Sequence, residues 1–157
     1  MKTVLFICVH NAGRSQMAEA SFNRLAGGKA RAISAGTMPA ERIHPEVVAA
    51  MAEVGVDVSR RRPKQLTQEM IDEASRIITM GCSVEEVCPA VFVPAEDWGL
   101  EDPEGQPIEK VRAIRDAIRH RVGKVGQRDM SVRWRRCMCL SGRGPGRKRP
   151  PPSSARW

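Results

Sequence analysis

Nothing in this 157-residue chain approaches the roughly 20 consecutive apolar residues that a membrane-spanning helix requires. A secretory leader is not expected either: the apolar stretch after Lys2 ends at Val9, and His10, Asn11 and Arg14 follow. The cysteines number five and are irregularly spaced, which excludes the paired framework of small secreted domains. These absences predict a soluble cytoplasmic protein with no membrane partner, whose thiols stay reduced and available for chemistry.

The net charge of +8 conceals a division. Residues 1–122 carry 16 Lys+Arg against 17 Asp+Glu, whereas residues 123–157 carry 10 against 1. The basic excess belongs to the second stretch and says nothing about partners of the first. The length suits about one domain with a single core. Residues 1–122 read as that domain. Residues 123–157 read as a basic Gly/Pro/Arg-rich tail, ending past Pro150-Pro151-Pro152, whose composition cannot bury a core and is expected to be disordered.

Within the first stretch, Thr3–Ile7 is a β-branched and aromatic run that reads as a buried parallel strand. A helix carrying Met17, Ala20, Ser21, Arg24 and Leu25, with Glu19 in its first turns, is expected to stop near Gly27-Gly28. Ala30–Ala35, ending at Gly36, is the second strand candidate. His44-Pro45 opens a helix with proline at its first position, bearing Val47, Val48 and Met51 up to Gly55. Thr67 is placed to cap a short helix with Met70, Ile71 and Ala74. Arg76–Met80 and Ala90–Val93 read as strands three and four. Ile108, Val111, Ile114, Ile118 and Val122 then form an apolar stripe at helical spacing. This alternation predicts an α/β fold, a three-layer sandwich around a central four-stranded parallel sheet with right-handed crossovers.

Sites in such sheets lie beyond the carboxyl ends of the strands. Cys8, Ser34-Ala35-Gly36, Cys82 and Asp102 all fall there. Between the first strand and first helix runs Cys8-Val9-His10-Asn11-Ala12-Gly13-Arg14-Ser15. Backbone N–H groups in that place can wrap a tetrahedral oxyanion, and the helix N-terminus adds partial positive charge. Gly13 is expected to supply the positive φ that wrapping needs. Arg14 offers a planar fork for two oxygens. The same field favours a thiolate at Cys8, and the Ser15 hydroxyl is placed to donate to it. The reading is a thiolate nucleophile in an oxyanion cradle. Spacing alone is weak, because Cys137 and Arg143 repeat it where there is neither strand nor helix pattern. A core cysteine is the bland alternative, but structural cysteines rarely sit at a strand-to-loop-to-helix transition.

Cys82 and Cys88 lie six residues apart. They are either ordinary buried thiols or a redox pair able to form a disulfide on rearrangement; zinc is disfavoured because close cysteine pairs and nearby histidines are missing. Glu101-Asp102-Pro103-Glu104-Gly105 is a turn sequence, and Asp102 beside the cradle can protonate a leaving oxygen. Glu96-Asp97-Trp98 reads as a lid or partner surface, with packing as the alternative for Trp98. His10 is expected to point outward, His44 to start a helix, His120 to lie on the surface, and Arg60-Arg61-Arg62 to be a solvated run.

Residues 1–122 resemble the thioredoxin-coupled arsenate reductases, which share the low-molecular-weight tyrosine phosphatase fold. The resemblance rests on Cys8 through Glu19, on Ser34-Ala35-Gly36-Thr37, on Cys82 with Cys88-Pro89, and on Asp97-Trp98 through Asp102-Pro103. The phosphatases usually follow Arg-Ser with Pro; here Gln16-Met17-Ala18-Glu19 follows, as in the reductases. They also place tyrosines near the site, and this chain has none.

The resemblance implies reduction of arsenate to arsenite in arsenic detoxification, with phosphate or sulfate as competing oxyanions. Cys8 would attack arsenate, held by Arg14 and the amides of Val9, His10, Asn11, Ala12 and Gly13, while Asp102 assists departure of an oxygen. Cys82 would then form a disulfide with Cys8, and Cys88 would carry it outward to thioredoxin. No tightly bound cofactor is implied. Some relatives bind potassium near Asn11, Glu19 and Ser34 with an Asp in the loop after the second helix. Here that loop reads Arg62-Pro63-Lys64, so Lys64 is expected to replace the cation and no metal is expected. A monomer is expected.

The alternative function is a low-molecular-weight protein tyrosine phosphatase acting on aryl phosphates. A third reading is a non-catalytic sensor binding trivalent arsenic through Cys8, Cys82 and Cys88. The tail departs from the family pattern; its composition is that of a GC-rich gene read in a shifted frame. A basic extension attracting nucleic acid is the less favoured reading, so nucleic acid is not an expected partner.

Overall fold

The computed structural model describes residues 2–81 and 95–129. Eight elements follow in order: β1 (Thr3–Cys8), α1 (Arg14–Ala26), β2 (Arg31–Gly36), α2 (Pro45–Ala52), α3 (Gln68–Glu73), β3 (Arg76–Thr79), β4 (Ala95–Asp97) and α4 (Ile108–Asp129). The strands form one sheet in the order β2-β1-β3-β4. Every neighbouring pair is parallel, with Cys8 opposite Gly36 and Ile7 opposite Thr79 at the carboxyl edge.

Side chains alternate along β1, whose six residues are all buried, and so feed two cores. Val4, Phe6 and Cys8 join Met17 and Phe22 of α1, Met51 of α2 and Ile118 of α4 on one face. Leu5 and Ile7 join Ile33, Ala35, Ile77 and Ile71 of α3 on the other. Helix α1 touches the sheet and α4, and most of its side chains through Phe22 are buried. A helix enclosed on two sides has no need of a polar face. Thr67 caps α3 as expected, its hydroxyl accepting the Met70 N–H at 3.4 Å.

Two expectations shift. The strand that pairs with β3 is Ala95–Asp97, all exposed; the apolar run proposed for this role, Ala90–Val93, lies outside the described residues. An edge strand needs no apolar run, because one side of it faces water. The last helix continues past Val122 to Asp129. Gly123 and Gly126 each weaken a helix by about 1 kcal/mol relative to alanine, yet Val125 is buried with Val122 and holds the extra turns down. For Trp98 the packing alternative holds: it is buried and packs its ring 5.8 Å from that of Phe6. No helix among the described residues is long and apolar enough to cross a membrane.

Candidate active site

Cys8 ends β1 and Arg14 begins α1, so the five residues between them must reverse the chain at the carboxyl edge. The carbonyls of this loop are claimed from outside. Cys8, Val9, His10 and Ala12 accept the N–H groups of Thr37 (3.3 Å), Met38 (2.9 Å), Ala40 (2.9 Å) and His44 (3.0 Å). A trans peptide sets its N–H opposite its C=O, and the chain has no cis bond among the described residues. The N–H groups of Val9, His10, Asn11 and Gly13 are therefore turned to the inner side of the loop. Gly13, the residue before α1, has no side chain to cap the helix, so the first-turn amides stay available for an oxyanion.

Positive φ falls on Asn11 (φ 50) and not on Gly13 (φ −143), contrary to expectation. Asparagine tolerates the left-handed region, and here its amide is held on both ends. Gly13 is needed for another reason: a Cβ there would sit 2.7 Å from Cγ of Pro103.

The amide of Asn11 has one possible orientation. Its Oδ1 accepts the backbone N–H of Lys64 at 2.8 Å, an unambiguous donor, and Nε2 of Gln16 at 2.9 Å. Nδ2 then donates to Oγ of Ser15 at 2.7 Å. With that oxygen serving as acceptor, the Ser15 hydroxyl hydrogen is free to point at Sγ of Cys8, 2.7 Å away. The Asn11 N–H also points at this sulfur, at 3.2 Å. Cys8 is buried. Two donors are thus aimed at one buried sulfur.

Arg14 is buried as well. One guanidinium nitrogen, Nη1, donates to the carbonyl of Met80 and to that of Leu100 at 2.7 Å. The other, Nη2, lies 3.6 Å from Oδ2 of Asp102. Gly81 (φ +91) makes room for this seat, since a Cβ there would stand 2.7 Å from Nη1. Asp102 is partly exposed and also accepts the N–H of Glu104 at 3.0 Å. Asp97 holds the same neighbourhood: its carboxyl lies below the usual aspartate range, chiefly because it accepts the Gly81 N–H, against burial, with further help from the Gly99 N–H, the Thr79 hydroxyl and the charge of Arg14.

The fold thus gathers Cys8, Asn11, Arg14, Ser15 and Asp102, whereas Cys82 and Cys88 lie outside the described residues. His10 is partly exposed with Nδ1 4.0 Å from Glu104. Atoms of His10, Asp102 and Glu104 lie within 4.8 Å of one another, but Asp102 is engaged by Arg14 and the grouping carries no metal assignment. His44 precedes α2 and His120 is exposed, as expected.

The solvated reading of Arg60-Arg61-Arg62 fails for Arg61, whose Nη1 lies 2.9 Å from the buried carboxylate of Glu19. Glu19 also accepts from Ser34 and faces Nζ of Lys64 at 3.4 Å. Asp97 and Gln16 were not singled out as site residues from the sequence. Each bonds one near neighbour, Asn11 for Gln16 and Gly99 for Asp97, and one segment distant in sequence, Arg62 and Gly81 respectively, and only the fold reveals the distant one.

Residues 3–130 match the low molecular weight phosphotyrosine protein phosphatase family. The chain is 42% identical over 122 residues to a putative arsenate reductase of Halobacterium salinarum, covering 74% of this chain and 85% of that protein. It is 39% identical over 127 residues to a glutaredoxin arsenate reductase of Synechocystis sp., covering 78% and 94% respectively. A solved thioredoxin-dependent arsenate reductase of Corynebacterium glutamicum is 40% identical with a TM-score of 0.69; the match covers 81% of this chain and 61% of that one.

Proposed function

The chain belongs to the low molecular weight phosphotyrosine protein phosphatase family, and from that premise we propose that it is an arsenate reductase working through a cysteine relay. The observation that carries the reading is the buried Cys8 sulfur with the Ser15 hydroxyl at 2.7 Å and the Asn11 N–H at 3.2 Å, beside the guanidinium of Arg14. Two relatives, a putative arsenate reductase and a glutaredoxin arsenate reductase, match it over 85% and 94% of their own lengths.

In this reading the Cys8 thiolate attacks arsenic, forming an S–As bond, while an arsenate oxygen leaves as water. Arg14 and the inward amides hold the remaining oxygens. A bound oxyanion competes with Asp102 for Arg14, which frees the Asp102 carboxyl to pass a proton to the departing oxygen. Cys82 then attacks the Cys8 sulfur; the S–As electron pair stays on arsenic, which leaves as arsenite, and a Cys8–Cys82 disulfide remains. Two thiolates supply the two electrons. Cys88 next attacks Cys82, releasing Cys8 and giving a Cys82–Cys88 disulfide, which an external dithiol reduces. Gly81, which precedes Cys82 in the chain, abuts Arg14, which supports a role for Cys82 at this site.

The external dithiol is proposed to be thioredoxin, as in the Corynebacterium glutamicum relative; the Synechocystis relative is a glutaredoxin arsenate reductase, which makes glutaredoxin the competing reductant. Potassium does not fit beside Glu19, because Lys64 and Arg61 already face that carboxylate, and no alkali-cation requirement is proposed. The protein is proposed to act in the cytoplasm as a monomer.

The test is an NADPH-coupled assay with thioredoxin and thioredoxin reductase, or with glutaredoxin, glutathione and glutathione reductase, on arsenate and separately on an aryl phosphate. Turnover of aryl phosphate without arsenate-dependent NADPH oxidation would overturn the reading in favour of a phosphatase. The relay is tested by Cys88→Ser, which is expected to yield one arsenite per enzyme and a Cys8–Cys82 disulfide on non-reducing peptide mapping. Repeated turnover by that variant would refute the order of thiols; a phosphatase would not register the change.

A further inference from the structure

Arg14 can grip an oxyanion only if its own guanidinium is held, and the two carbonyls that hold it come from separate segments. Met80 follows β3 and Leu100 follows β4. Neither segment is regular there, so something must keep two loop carbonyls converging on one nitrogen. Asp97, the last residue of β4, spans the gap. Its Oδ1 accepts the N–H of Gly81 at 2.9 Å and the Thr79 hydroxyl at 3.1 Å from the β3 segment. The same oxygen accepts the N–H of Gly99 at 3.3 Å from its own segment. Thr79 and Gly81 flank Met80, and Gly99 precedes Leu100. The Met80 carbonyl therefore shares its peptide group with an N–H that Asp97 fixes, and the Leu100 carbonyl lies two peptide groups beyond the other.

We propose that Asp97 is a positioning residue for Arg14: its carboxylate clamps the two loops whose Met80 and Leu100 carbonyls seat the oxyanion-binding guanidinium. Gly81 is the tightest point of this assembly, lying against both Nη1 of Arg14 and, at 3.3 Å from its notional Cβ, the Leu100 carbonyl. A displacement of the Gly81 peptide must move Arg14. Glu96, one residue earlier on β4, serves as the contrast. It pairs with Arg76 at 2.6 Å and accepts from Nε1 of Trp98 at 3.2 Å, and it touches neither carbonyl.

The proposal rests on Arg14 being the oxyanion-binding group, so inorganic phosphate is the probe and its binding is measured by calorimetry without turnover. Asp97→Ala is expected to weaken phosphate binding by about tenfold, a loss in proportion to small misplacements of binding groups. Asp97→Asn keeps one acceptor oxygen and is expected to recover part of that loss. Glu96→Ala is expected to bind phosphate as the unaltered protein does. Equal phosphate affinity in Asp97→Asn, Asp97→Ala and the unaltered protein would overturn the proposal, as would a loss in Glu96→Ala as large as that in Asp97→Ala. If Asp97→Ala fails to fold, Asp97→Asn decides: weakened phosphate binding at an unchanged melting temperature supports the clamp, and unchanged binding refutes it. Arg14→Ala separates the two layers. Undiminished phosphate binding in that variant defeats the premise about Arg14, whereas a loss there without one in the Asp97 variants defeats this inference alone.

Discussion

Two carboxylates, Glu19 and Glu53, are each met by two cationic side chains, and they do different work because of where they stand. Glu19 is buried, with Arg61, Lys64 and Ser34 around it. Lys64 ties it to the cradle, since the same residue gives its backbone N–H to Asn11. Glu53 is exposed after α2 and pairs with Arg112 at 2.7 Å and Arg115 at 3.0 Å on α4. The first cluster is part of a chain of hydrogen bonds that ends at the Cys8 sulfur. The second ties two helices together directly at the surface and reaches no reactive group. Counting ion pairs would rank them alike; burial and connection to the cradle separate them.

The sharpest way to break the comparison is at the end of the buried chain. Cys8→Ser is expected to lower arsenate turnover, and any aryl-phosphate turnover, by at least about a thousandfold, because a hydroxyl in this cradle is a poor nucleophile. Its melting temperature should stay within a few degrees of the unaltered protein's. Retained turnover in the coupled assay would remove Cys8 from the mechanism.

Arg14→Lys comes next, with an expected loss of about a hundredfold in kcat/KM, the scale of removing one oxyanion donor. An ammonium cannot hold the Met80 and Leu100 carbonyls and still present a planar pair of donors to the oxyanion. Kinetics that match the unaltered protein would show that the loop amides suffice.

A change far from the cradle should act on stability alone. Truncation after Val122 removes the buried Val125 and is expected to cost about 1–3 kcal/mol, read as a lower urea midpoint. Truncation after Asp129 keeps the whole described helix and should leave the midpoint unchanged. Identical midpoints would mean that the last seven residues of α4 add nothing.

The smallest effect belongs to the exposed pair. The Glu53 carboxyl lies below the ordinary glutamate range, first through its hydrogen bond from Arg112, against burial, with Arg115 adding to the lowering. A lowered folded value means that its contribution is present above the unfolded glutamate range, about 4.3, and is lost as pH falls through the lower folded value. Glu53→Gln should therefore shift thermal stability by a few degrees at most at neutral pH, with the difference vanishing in acid and with kcat/KM unchanged. A larger effect at low pH than at neutral pH would reverse that sign.

What the amino-acid order determined by itself was the local and periodic part. Thr3–Ile7 is β-branched and aromatic because both faces of β1 are covered, and a continuous apolar run marks that state. Gly27 stops α1 and Thr67 caps α3 because each acts within a few residues of itself. The cradle was legible for the same reason: Cys8, Arg14 and Ser15 stand within eight residues, between a strand and a helix.

Tertiary structure decided what depends on partners distant in sequence. The exposed β4 became a strand because β3 offered it an edge, although no apolar run announces it. Asn11 took the positive φ assigned to Gly13 because Lys64, 53 residues away, holds its amide. Arg61 turned its guanidinium to Glu19, and Asp97 became the clamp beside Arg14. Each of these depends on a partner that the chain reaches only after folding, and for the buried Asn11 that partner also meets the cost of burial; sequence spacing carries no record of that.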